Sequence, residues 1–238
     1  MMSTVIRRVF GGVVAASAAG FVGVALAAEP PVSPVPPPAP PAAPVATAFD
    51  YVLDGGRSDL YVQADKDPSS FASALAHDHV VQATAWRGTV HWDAANVGAC
   101  RIDISVPVGN LRNDDPAFRK KLGYTTEPSG ETRDEIRLAM HDKGQLNLAA
   151  FPDIKYVSSR CESSGDLVNV TGTLTIRGVG AAVMVPMKVV ATSGDFAASG
   201  KFTVNTTAFG FQPYTAFGGA VKVLNALRFT VDVKGHVK

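Results

Sequence analysis

The sequence predicts an all-β domain: an eight-stranded antiparallel up-and-down barrel with a short helical insertion between strands three and four. Three observations predict it. Apolar and polar residues alternate with a period of two over most of the chain from about residue 50 onward, short turn-forming clusters separate the later runs, and only about 113–150 breaks the period. A strand sends successive side chains to opposite faces, so alternation gives one buried and one solvated face. Eight such strands joined by hairpins can close on themselves, which removes exposed sheet edges.

The first segments are not part of that barrel. Arg7 and Arg8 precede an apolar run of small residues from Val9 to Leu26, and Ala25-Leu26-Ala27 supplies an A-x-A cleavage pattern. Residues 1–28 are therefore expected to be a cleaved export signal. An uncleaved membrane anchor is the alternative, because the run approaches a spanning length. Arg7-Arg8-Val9-Phe10 has a weak likeness to a twin-arginine signal, which leaves the export route open. Residues 29–48 are rich in Pro, Ala and Val and read either as an extended polyproline II spacer or as plain disorder.

The barrel is expected over 49–238. Leu60, Val62 and Ala64 alternate with Tyr61, Gln63 and Asp65; Ile102, Ile104 and Val106 with Arg101, Asp103 and Ser105. Val168, Val170, Gly172, Leu174 and Ile176 form a third such run, and Phe229, Val231 and Val233 a fourth. Further strands are expected at 79–92, 154–161, 182–192 and 196–206. Ser163-Ser164-Gly165-Asp166 and Thr192-Ser193-Gly194-Asp195 carry hairpin-turn chemistry. Within the insertion, Asp115 followed by Pro116 reads as a helix start and Gly123 as its end. Thr132 and Glu135 have capping-box spacing, Ile136, Ala139 and Met140 share a helical face, and Gly144 closes the segment. Cys100 opens one strand and Cys161 closes its neighbour; an exported chain permits a disulfide between them, and free buried thiols are the alternative.

Charge narrows the function. With 22 basic and 21 acidic side chains there is no concentrated positive field for nucleic acid. No nucleophile elbow, zinc-protease helix, phosphate loop or dinucleotide fingerprint is present, so no enzymatic activity is expected. A hydrolase built on His79 and a carboxylate is the weakest alternative. Asp114-Asp115 reads as a helix cap, and Glu131, Asp134 and Glu135 as first-turn charges.

Several motifs resemble those of the YceI-like family. Leu174-Thr175-Ile176-Arg177-Gly178 after Gly172 resembles its most characteristic motif. Phe151-Pro152-Asp153-Ile154-Lys155-Tyr156-Val157-Ser158 is similar to its central strand, Asp54 with Ser58, Leu60 and Val62 to its opening strand, and Asn205 with Phe209 and Gly210 to a late motif. The resemblance spans about 50–234. It implies a lipocalin-like barrel and a non-catalytic periplasmic protein that binds a polyisoprenoid or isoprenoid quinone-like lipid. Three departures stand out. Thr206 and Ala208 replace an expected Arg and Asp, His77 and His79 stand where one histidine is common, and the insertion is long between Leu122 and Thr132.

The residues expected to line the barrel and touch such a ligand are Val62, Val81, Ile102, Ile104, Val106, Ile154, Val170, Leu174, Phe202, Phe229 and Val231. The alternative is a solid core packed by those same side chains, with a structural or interaction role. His77, His79 and His141 are expected to form a polar mouth; a metal site built from these three is the competing function. His77 and His79, two apart on an extended chain, would face one side. No cofactor is expected beyond the bound lipid. A transient membrane contact and a homodimer are compatible with the reading and not specified by it.

Overall fold

The computed structural model describes residues 46–238. The expected signal at 1–28 and positions 29–45 of the expected linker lie outside the described residues. The last linker position is already strand, because Ala48 pairs with Asp93.

Among the described residues, eleven of twelve strand segments make eight barrel strands. The first consists of β1 (Ala48–Leu53) and β2 (Asp59–Lys66), the second of β3 (His79–Ala83) and β4 (Arg87–Asp93), the third of β5 (Arg101–Pro107) and β6 (Leu111–Asn113). Then β7 (Asp153–Ser164), β8 (Leu167–Ile176), β9 (Val179–Ala191) and β10 (Asp195–Asn205) follow singly. A short spur, β11 (Thr215–Ala216), precedes the eighth barrel strand, β12 (Val221–Val237). Neighbours pair antiparallel in chain order, and β12 pairs with both β1 and β2, which closes the ring. The eighth strand thus starts well before the expected Phe229, and β9 starts at Val179 rather than 182.

Turn chemistry explains the meander. Gly165 (φ 59°) opens the two-residue link between β7 and β8. Arg177 (φ 54°) and Gly178 (φ 73°) link β8 to β9 with both residues left-handed, the geometry whose twist matches flanking strands. A Cβ on Gly178 would stand 2.5 Å from the Phe151 ring, so Phe151 and Gly178 are physically one motif.

The strand expected to be continuous over 79–92 is broken between Ala83 and Arg87. The first and third barrel strands break beside it, at Gly55–Arg57 and Val108–Asn110. Thr84 donates from both its backbone N–H (3.1 Å) and its hydroxyl (2.8 Å) to the Asn110 carbonyl. The Trp86 indole lies against Gly55. Glycines at two of the three breaks weaken strand pairing there, which a period-two pattern does not register.

The insertion carries α1 (Pro116–Lys121) and α2 (Gly130–His141). Asp115 caps α1 through the Phe118 N–H at 2.9 Å, and Gly123 (φ 83°) follows its end. The cap of α2 is Ser129, which accepts from the Thr132 N–H at 3.1 Å, in place of the expected Thr132–Glu135 pair. The helix ends at His141, before Gly144, whose N–H is taken by the Asp142 carboxylate. Asn113 ties the insertion to β6 by donating to the Arg133 carbonyl at 2.9 Å.

The densest packing is at one end of the barrel. Tyr51, Leu53, Val90, Trp92, Val168, Val170, Val185, Met187, Phe196, Ala198 and Val233 form a buried cluster there, with Cys100 and Cys161 inside it. Those two cysteines form a disulfide with Cα atoms 6.0 Å apart. A second buried cluster, Leu174, Ile176, Val183, Phe209 and Phe211, lies toward the other end.

Candidate functional site

Between the packed floor and the helical insertion the barrel is hollow. The cavity measures about 290 Å³, close to the lower edge of the roughly 300–1,000 Å³ usual for small-molecule sites. Alternation along each strand decides who lines it. All eleven residues expected inside, Val62, Val81, Ile102, Ile104, Val106, Ile154, Val170, Leu174, Phe202, Phe229 and Val231, lie on its wall. Val170 belongs to the floor, whereas Ile102, Ile104, Phe202, Phe229 and Val231 point inward yet are only half-buried, because they face open space. Phe202 and Phe229 stack at 4.9 Å. The pattern of the insertion suggests helices that cap one barrel mouth, but the expected lining residues include none of the upper wall. Ile136, Ala139 and Met140 of α2, with Leu146, Phe211, Pro213, Tyr214 and Leu224, cover the end opposite the floor. The shared helical face of the first three was the available cue.

Gly172 shapes the wall by absence. A Cβ there would meet the Tyr156 ring at 2.7 Å and the Val157 carbonyl at 2.5 Å. The ring therefore lies across β8, with its hydroxyl donating to the Val170 carbonyl at 3.3 Å. Burial pushes the Tyr156 phenol up to about 12, so it stays neutral in the cavity wall.

The three histidines do not gather. The strand begins only at His79, so His77 precedes it and is exposed rather than sharing its face. His141 ends α2 and is not on the cavity wall; burial pushes its pKa down, partly offset by the Val108 backbone carbonyl. Among the described residues no three His, Cys, Asp or Glu side chains form a metal-binding group.

His79 does line the cavity, and a buried pair holds it. Its Nδ1 lies 2.7 Å from Asp114 Oδ2. The other Asp114 oxygen accepts from the Val80 N–H (3.1 Å) and from Arg119 Nη1 (2.5 Å). Asp114 is fully buried and left-handed (φ 51°), so only Asp115 acts as the helix cap, and Asp114 is a carboxylate in the barrel wall. Burial raises the Asp114 pKa, but His79, the Val80 N–H and Arg119 together outweigh it and hold the carboxyl below its ordinary range. Arg119, 2% exposed, also donates to the Asp78 carbonyl (2.7 Å) and the Thr126 carbonyl (2.8 and 3.0 Å) and lies over the Tyr124 ring at 4.4 Å. Neither Asp114 nor Arg119 stood out in the sequence, because a DD pair before Pro looks like a cap alone. At the late motif, Thr206 donates to Asn225 Oδ1 at 2.7 Å and Asn225 donates to the Thr207 hydroxyl at 3.1 Å. Neutral hydrogen bonds thus stand at the late motif, where Thr206 replaces the expected Arg.

Comparison with known proteins agrees with this architecture. The YceI-like domain matches residues 51–235. The crystal structure of Burkholderia cenocepacia BcnA superposes with a TM-score of 0.58 at 17% identity, covering 76% of this chain and 98% of that one. A Campylobacter jejuni YCEI protein superposes with a TM-score of 0.50 at 13% identity, covering 66% of this chain and 84% of that one. None of the curated proteins matches the chain. The closed eight-stranded barrel, its apolar hollow and the matched span together place the chain in the YceI-like domain family.

Proposed function

We propose that this protein is an exported, non-catalytic carrier that holds a long apolar or amphiphilic molecule, a polyisoprenoid or isoprenoid quinone-like lipid, in its barrel. The observation that carries the reading is the apolar cavity of about 290 Å³ bounded by a packed floor. Burying hydrocarbon there is favourable by ~0.8 kcal/mol per CH₂, or roughly 4 kcal/mol for each five-carbon unit, before ordering costs. No polar contact is needed for such a chain to be retained. The Cys100–Cys161 disulfide supports a periplasmic destination, because such bonds persist in oxidising compartments.

The rim supports a way in. Phe71 is 99% exposed, Phe217 83% and Leu75 74%. They sit on two loops joined by the Ala72 N–H to Ala220 carbonyl bond at 2.8 Å, beside Tyr214 and Pro213 of the cavity wall. Aromatic tips of this kind suit a brief contact with a bilayer from which lipid is taken up.

Mass spectrometry of an organic extract of the purified protein tests the reading. A prenyl lipid in stoichiometric amount is expected; a lipid-free protein that also takes up no added prenyl lipid overturns it. Val62→Trp, which puts an indole into the hollow, is expected to abolish uptake while the barrel remains folded. Phe71→Ser with Phe217→Ser is expected to slow lipid transfer from vesicles without changing binding at equilibrium. Zinc or copper retained in equilibrium dialysis, with no lipid extracted, would replace this reading by the metal-binding one.

A further inference from the structure

Resting on the carrier reading, we infer that His79 Nε2 is a hydrogen-bond socket for the polar end of the bound molecule, and that this end is a neutral hydroxyl rather than an anion, ether or ester.

The polar inventory of the wall leads there. Thr206 is bonded to Asn225, Tyr156 to the Val170 carbonyl, and Gln145 to the Gln212 carbonyl (3.4 Å). Tyr61 packs its ring on Phe118 at 5.2 Å, its hydroxyl and the Trp92 indole N–H can both donate, and Lys155 and Tyr214 are exposed. His79 is different. One ring nitrogen is engaged, and among the described residues the other has no protein partner, although the side chain is 19% exposed and lines an apolar cavity. A polar atom so placed favours a ligand that satisfies it.

The tautomer follows from the partners. An ionised carboxylate can only accept, and Asp114 already accepts from the Val80 N–H and from Arg119. Nδ1 therefore carries the hydrogen. Arg119 already balances the Asp114 charge, and a neutral ring bonded through its Nδ1–H leaves Nε2 as an acceptor. Nε2 then presents a lone pair to the cavity. A lone pair selects a donor, such as a polyprenyl alcohol or the phenol of a reduced quinone, and gains nothing from an ether oxygen or from the carbonyls of an oxidised quinone. An anionic head finds no compensating cation, since Arg119 is consumed by Asp114, Asp78 and Thr126, and Lys155 is solvated. Asp114 and Arg119 are positioning residues for the imidazole.

The test uses three probes that share one tail: geranylgeraniol, its methyl ether and its monophosphate. Titration calorimetry on the wild-type protein in a mildly alkaline buffer is expected to give a Kd for the alcohol about tenfold below that of the ether, the worth of one hydrogen bond to a desolvated acceptor. His79→Phe is expected to bring the two Kd values together. Independently of that variant's folding, the nitrogen NMR shift of His79 Nε2 should move with the alcohol and not with the ether. Equal binding of alcohol and ether, or preference for the phosphate, overturns the socket while leaving the carrier intact. Failure of all three probes to bind overturns the carrier and the socket with it.

Discussion

Single side chains fix both the shape and the chemistry of the hollow. Gly172→Ala is expected to destabilise the fold by about 1–3 kcal/mol in urea titration, because its methyl group collides with the Tyr156 ring and the Val157 carbonyl. Arg119→Met should cost about 3–5 kcal/mol, since it strands the Asp114 charge inside the wall. The acid limb of stability tests the same pair. The folded pKa of Asp114 lies below its ordinary value of 3.8, so its contribution is complete above that pH and lost as the pH falls through the folded value. Wild type should therefore lose stability below about pH 4 more steeply than Asp114→Asn; parallel pH profiles would contradict the assignment. At this scale legibility divides by cause. Alternation decides the face of a strand residue, so the interior positions could be read from Val62 to Val231. The roles of Asp114 and Arg119 could not, because they arise from a left-handed backbone and from partners, His79 and Asp78, brought in by chain closure.

Elements show where a period fails to speak. Hairpins were legible because Gly165 and Gly194 announce them, whereas the strand breaks depend on cross-strand contacts such as Thr84 with Asn110. His77 was misplaced for the same reason: two residues apart means one face only if both lie in a strand, and β3 begins at His79. For α2, the cap lies at Ser129, so Ser129→Ala should lower stability by about 1 kcal/mol and loosen the cover above the cavity, visible as faster amide exchange over Gly130–His141. The disulfide ties the start of β5 to the far part of β7 across a separation of 61 residues. Replacing Cys100 and Cys161 together by serine should cost about 4 kcal/mol on chain-entropy grounds. An unchanged unfolding midpoint would mean that the surrounding core, not the bond, holds that end.

At the scale of the whole molecule, eight strands enclose a ring just wide enough for one slim occupant. The family and the barrel were readable from strand pattern and motif order. Whether the centre would be hollow was not, since a filled and an empty barrel share one alternation; the decision lies in the sizes of opposed side chains, such as Gly172 under Tyr156. The packed end of the barrel has a further effect. A tube stoppered by Tyr51, Trp92, Phe196 and the disulfide has finite depth, so under the proposed carrier function it would act as a gauge of chain length. Each carbon up to that depth adds its increment of burial, and each carbon beyond it stays in water or must double back. Affinity plotted against the number of isoprene units should climb and then level off, and the position of that plateau would measure the distance from rim to stopper.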